Sequence, residues 1–119
     1  MKWDISKQIG KRITIKTKSG VLFFDVERIK YIICDGRHCF VHLIDESEHR
    51  VRRPLKFFEQ ELEKFGFPHV NGNTLVNARY IKGGQFSSTK RTLHVKVTKT
   101  EAIIVSRRKV ATFKTAPEA

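Results

Sequence analysis

The stretch Ile29-Lys30-Tyr31-Ile32-Ile33-Cys34, then Asp35-Gly36-Arg37-His38, then Cys39-Phe40-Val41-His42-Leu43-Ile44, decides the fold class. Two apolar-rich runs flank a polar tetrad, and its Asp-Gly pair tolerates the positive φ that a tight hairpin needs. The stretch therefore reads as two antiparallel strands. Working outward, the same period of two recurs. In Lys11-Arg12-Ile13-Thr14-Ile15-Lys16-Thr17-Lys18, Ile13 and Ile15 share one face, while Arg12, Thr14, Lys16 and Lys18 share the other. Ser19-Gly20 turns into the short apolar run Val21-Leu22-Phe23-Phe24, closed by Asp25, and Asp45-Glu46-Ser47 leads into His49-Arg50-Val51-Arg52-Arg53. Farther on, Leu93, Val95 and Val97 alternate with His94, Lys96 and Thr98, and Ala102-Ile103-Ile104-Val105 follows across Lys99-Thr100 as another hairpin. Short strands between turns define a mainly β fold of several small antiparallel sheets stacked in an elongated sandwich.

Two helices interrupt the strands. The first covers about residues 54–65: Pro54 suits a first helical position, and Leu55, Phe58, Leu62 and Phe65 recur at three- and four-residue spacing. Gly66 sits where a left-handed cap belongs, with Pro68 beyond it. Glu59, Glu61 and Glu63 give this helix an acidic outer face, which phosphates repel and which should point away from nucleic acid. The second, about residues 107–113, starts behind Ser106, a good N-cap, with Val110 and Phe113 as its apolar contacts. Residues 1–10 form a loosely ordered N-terminal extension, 11–115 the domain, and 116–119 a tail.

At 119 residues the chain makes one domain, and 24 Lys+Arg against 12 Asp+Glu leave a formal charge of +12. Such an excess favours a polyanionic partner. Its distribution is uneven. Residues 1–65 carry 14 basic and 10 acidic side chains, and residues 66–119 carry 10 and two, so the net is +4 against +8. The longest apolar runs, Val21-Leu22-Phe23-Phe24, Tyr31-Ile32-Ile33-Cys34 and Ala102-Ile103-Ile104-Val105, fall far short of the roughly 20 residues that insertion in a membrane requires. Met1-Lys2-Trp3-Asp4 opens no signal peptide, so the expected location is cytoplasmic.

The chain offers little for catalysis. Acidic residues sit in turns and on the first helix without a carboxylate pair, and no phosphate loop, nucleophile elbow or dinucleotide fingerprint occurs. No enzyme and no cofactor are expected. Lys82-Gly83-Gly84-Gln85 is a glycine pair of the kind that marks a bulge or bend. Cys34, His38, Cys39 and His42 lie close together but match no zinc spacing. Two cysteines are too few for a disulfide framework and read as small core residues. Phe23, Phe24, Phe58, Phe65 and Phe113 lie on apolar faces and read as core rather than as stacking platforms.

Ser106-Arg107-Arg108-Lys109 carries most of the functional signal. Three cations at a helix N-terminus oppose its partial positive charge, at roughly 0.3–1 kcal/mol each. A conflict of this kind marks a functional site, and a docked phosphate or guanine edge would resolve it. The alternative is a solvated basic turn screened by salt.

Taken in order, the segments resemble the LytTR family. Ile29-Lys30-Tyr31-Ile32, Asp35-Gly36 and Val51-Arg52-Arg53-Pro54-Leu55 open the match. Thr74-Leu75-Val76-Asn77-Ala78-Arg79-Tyr80-Ile81 resembles its leucine-valine-asparagine element, and Val105-Ser106-Arg107-Arg108 its closing serine-arginine-arginine motif. The resemblance spans about Lys11 to Thr115. It implies a DNA-binding domain of bacterial transcription regulators that inserts loops and a short helix turn into successive major grooves. By position, the DNA-contacting residues would be Arg37 and His38, then Asn71, Gly72 and Asn73, then Arg107, Arg108 and Lys109. Lys90 and Arg91 are further candidates at a hairpin tip. One departure stands out: where the family has arginine, an apolar residue and histidine-arginine-serine, this chain has His69-Val70-Asn71-Gly72-Asn73. Either an asparagine pairs with an adenine edge there, or the loop no longer reads sequence.

The expected function is therefore sequence-specific binding of double-stranded DNA in transcription regulation. The alternative is an RNA-binding or non-specific polyanion-binding module without base readout. Family members occupy repeated sites, which implies cooperative pairing on DNA. The family also couples this domain to a receiver or membrane sensor, and nothing of that kind precedes Lys11. The chain thus reads as a stand-alone regulator or a piece of a longer one, with a separate sensor or regulator protein as partner.

Overall fold

The computed structural model describes residues 5–81, 83–87, 92–96 and 102–105. Within them, β3 (Ile29–Asp35) and β4 (His38–Leu43) form the hairpin read from the sequence, with Asp35 opposite His38. Gly36 supplies the positive φ, 62°, that the two-residue loop requires. β4 pairs on its other side with β5 (Glu48–Val51), so Cys39 faces Val51 and Phe40 faces Arg50. β3 pairs on its other side with β7 (Thr74–Val76), which pairs with β6 (His69–Asn71). The result is a five-stranded antiparallel sheet in the order β5-β4-β3-β7-β6.

Two smaller antiparallel sheets accompany it. β1 (Arg12–Thr17) and β2 (Gly20–Asp25) form one, and β8 (Gly83–Ser87), β9 (Thr92–Lys96) and β10 (Ala102–Val105) form the other in the order β10-β9-β8. The mainly β architecture of small sheets is as expected. The hairpin β6–β7 and strand β8 are additions: three-residue strands show no periodicity, and Gly83-Gly84 carries no side chain to signal one.

α1 (Leu55–Leu62) continues as a 3-10 turn over Glu63–Phe65, which together fill the expected 54–65 span. Pro54 is the N-cap rather than the first helical residue, and Gly66 ends the turn at φ 80°. The helix buries Phe58, Leu62 and Phe65 against Ile13, Ile15 and Phe24 of the small sheet and Ile29, Ile32, Val41 and Val51 of the large one. Each such side chain contributes about 1.5–3 kcal/mol by leaving water, so this shared core holds the layers together.

Two expectations are corrected. Phe23 is not a core residue: it is 60% exposed on the outer face of β2, because Phe24 takes the inner position in the alternation. The stretch before residue 11 is not loosely ordered where it is described. Ser6–Gln8 forms a 3-10 turn, and Gln8 is fully buried. Its Nε2 donates to the Phe65 carbonyl (2.6 Å) and to Asn77 Oδ1 (2.8 Å), while its Oε1 accepts from Arg79 Nε (3.0 Å) and Asn77 Nδ2 (3.3 Å). Asn77 Nδ2 also donates to the Ile29 carbonyl (2.8 Å), so this network ties the first turn to the start of β3.

Candidate nucleic-acid interface

Antiparallel order puts two turns side by side at one end of the large sheet. β3 ends where β7 begins: Ile33 faces Thr74, and the Cys34 amide donates to the Asn73 carbonyl at 2.8 Å. The β3–β4 turn with Arg37 and the β6–β7 turn with Asn71, Gly72 and Asn73 are therefore neighbours. Asn71 Oδ1 accepts from the Asn73 amide (3.1 Å), and Asn73 Oδ1 accepts from Thr74 Oγ1 (3.0 Å), which fixes the turn's shape. Gly72 and Asn73 are exposed and Asn71 half-buried.

Arg37 is exposed at the hairpin tip. His38 is half-buried, and Arg50 Nη2 lies 3.1 Å from its Nε2. Arginine only donates, so Nε2 accepts in this contact. Arg50 thus joins the hairpin from β5, and exposed Arg52 follows just beyond that strand. These two cations were not among the expected site residues. The signal was the alternation in His49-Arg50-Val51-Arg52, which sends both arginines to the solvent face.

Cys34 and Cys39 lie directly opposite each other one step below the turn and are joined by a disulfide. Both are buried, as expected of small core residues, and the disulfide between them is an addition to that reading. The two-residue loop brings residues five apart face to face, which a count of cysteines does not reveal.

The other end of the sheet has the opposite character. The β4–β5 turn carries Asp45 and Glu46, and Glu48 opens β5 beside them. Ser47 holds the Asp45 carboxyl below its usual range through its hydroxyl, at 2.5 Å, and its amide. Two cations away from these turns have acidic partners: Lys30, almost fully buried, meets Glu46 at 3.3 Å, and Arg12 meets Asp25 at 3.1 Å. Among the described residues, Arg37, Arg50 and Arg52 have no carboxylate within ion-pair distance. On α1, Glu59 turns toward His69 at 3.6 Å and Glu61 is exposed, as is Glu63 in the 3-10 turn that follows.

Lys90, Arg91, Arg107, Arg108 and Lys109, and the helix expected over about 107–113, lie outside the described residues. Among the described residues no cluster of three or more His, Cys, Asp or Glu side chains is placed to hold a metal ion, and no helix is long and apolar enough to cross a membrane.

The domain is mainly β, built of small antiparallel sheets, and presents the β3–β4 and β6–β7 turns side by side at one end of the large sheet, with no helix-turn-helix among the described residues. The LytTr DNA-binding domain pattern matches residues 19–117, and the chain belongs to that family. Among solved structures it is similar to the LytTr DNA-binding domain of a putative methyl-accepting/DNA response regulator from Bacillus cereus. The TM-score is 0.69 at 24% identity, covering 88% of this chain and 95% of the other, a likeness of fold. No curated protein matches the chain. Membership in the LytTr DNA-binding domain family implies DNA-binding transcription regulation.

Proposed function

We propose that the chain binds double-stranded DNA sequence-specifically, through turns and a short helix turn in the major groove. One observation carries the reading: the β3–β4 and β6–β7 turns are adjacent at an end whose arginines lack acidic partners, while acidic residues occupy the opposite end. A duplex approaching the turn end meets Arg37, Arg50 and Arg52 against the single exposed carboxylate of Asp35, and leaves Asp45, Glu46 and Glu48 at the other end.

In this reading, Arg37 and His38 and the Asn71-Gly72-Asn73 turn supply one contact region. The basic segment Arg107-Arg108-Lys109 supplies the other, and Lys90 and Arg91 assist. Arg108 reads a guanine edge with its two-pronged guanidinium, and Arg107 and Lys109 hold phosphates. In this reading two copies pair on repeated sites, as the family resemblance implies.

The test is a pair of variants. Arg108→Ala should cost about 1–3 kcal/mol on a preferred sequence and relax preference there, whereas Lys109→Ala should weaken all duplexes alike. Equal binding of both variants to specific and random duplex would remove this site assignment. One feature favours a second reading, an RNA or polyanion binder: the Asn71-Gly72-Asn73 turn has no cation. Competition between unlabelled duplex and structured RNA separates the two.

A further inference from the structure

We propose that the β1–β2 turn, through Lys16 and Lys18, is an additional phosphate-binding point on the same face; the proposal rests on the DNA-binding reading above. The decisive contact is Arg53. This half-buried arginine follows Val51, which faces Cys39 beside the hairpin tip. Its Nη2 donates to the Lys16 carbonyl (2.7 Å), its Nη1 to the Arg52 carbonyl (2.9 Å), and its guanidinium lies 5.8 Å from the Phe57 ring centre. The guanidinium is thereby spent on backbone carbonyls and fixes the end of β1 beside the end of β5.

The turn thus stands at the basic end of the large sheet rather than apart from it. Lys16 and Lys18 are exposed, and neither has a carboxylate within ion-pair distance among the described residues. At the other end of the same strand, Arg12 is paired with Asp25. β1 therefore keeps its cations neutralised away from the turn and leaves them unmatched beside it.

Geometry decides what these lysines would touch. From the Asn71-Gly72-Asn73 turn on β7 to Val51 on β5 is three inter-strand steps, roughly 14 Å at the usual strand spacing. Arg53 extends the row further, to Lys16. A major groove is about 12 Å wide, so a row of this length, with its inner turns over base edges, places the last turn over the sugar-phosphate backbone. Lysine suits that position, because its flexible point charge holds a phosphate without reading sequence.

The test is the salt dependence of binding by the full chain to a mixed-sequence duplex of about 30 base pairs. Each lost phosphate contact lowers the slope of log K against log salt by about 0.9. Lys16→Ala/Lys18→Ala should therefore flatten the slope by about two and weaken binding several-fold at low salt. Lys7→Ala/Lys11→Ala removes the same charge from exposed positions at the start of the domain and should leave the slope unchanged. If wild type binds and the Lys16/Lys18 variant keeps the wild-type slope, the inference is overturned while the DNA reading stands. Equal flattening in both double variants also overturns it, by showing a net-charge effect. A wild type that does not bind duplex at all sinks the underlying reading. Melting curves accompany each variant, and Lys18→Gln alone, expected to flatten the slope by about one, replaces the double variant if that one unfolds.

Discussion

Replacing Gln8 with alanine tests the part of the fold that composition conceals. Gln8 is fully buried and joins the Phe65 carbonyl, the Asn77 carboxamide and the Arg79 guanidinium through four hydrogen bonds of 2.6–3.3 Å. Alanine keeps none of them and leaves a cavity too enclosed for free access of solvent. Arg79 is half-buried and retains the Ile5 carbonyl at 3.1 Å, so water and that contact cover part of its loss. Asn77 loses both bonds to Gln8 but keeps the Ile29 carbonyl on its Nδ2 and the Arg79 amide on its Oδ1, whereas the Phe65 carbonyl loses its bond from Gln8. The orphaned Phe65 carbonyl costs about 1–3 kcal/mol and each of the two lost Asn77 bonds about 1 kcal/mol, which brings the expected loss to roughly 3–5 kcal/mol. For a domain of this size that is a fall in Tm of roughly 10–20 °C. Urea unfolding followed by circular dichroism should show the loss as a lower midpoint at an unchanged m-value. A change below about 1 kcal/mol would refute the argument that this network anchors the first turn.

Other perturbations separate neighbouring residues. Phe24→Ala should cost about 3–5 kcal/mol and Phe23→Ala under about 1 kcal/mol, since the first is core and the second is 60% exposed; parallel denaturation curves decide it. Reducing the Cys34–Cys39 disulfide should cost about 2 kcal/mol at most, because it closes a very short loop, and unfolding with and without reductant measures it. Burial raises the Tyr80 pKa above its usual 10.0, since the buried site disfavours the phenolate, and its hydroxyl donates to the Glu27 carbonyl. The stability this contributes is complete below pH 10 and lost as pH rises through the raised value. Tyr80→Phe should therefore flatten the alkaline fall in Tm, and an unchanged fall would refute the assignment.

The sequence was legible where a residue's neighbours along the chain determine its environment. Asp35-Gly36 announced a hairpin because a positive φ is a local demand, and Ile13 and Ile15 announced an inner face because alternation is local. Gly66 ended its helical segment for the same reason. What escaped depends on partners distant in sequence. Gln8 looks like any polar residue until Asn77, 69 positions away, reaches it. Phe23 and Phe24 are equivalent in an unbroken apolar run, and only the register of β2 on β1 decides which faces inward. For the site, the sequence located both turns by resemblance but not their adjacency, which comes from β7 inserting beside β3. Arg50 and Arg52 were visible as cations, yet their membership of the basic end follows from β5 pairing with β4.

The central claim is base readout by the basic end, and selection of bound sequences from a random duplex pool tests it most directly. The account predicts that a short recurring site emerges within several rounds, and that Arg37→Ala and Arg108→Ala blur it at different positions. A pool that stays random would contradict it.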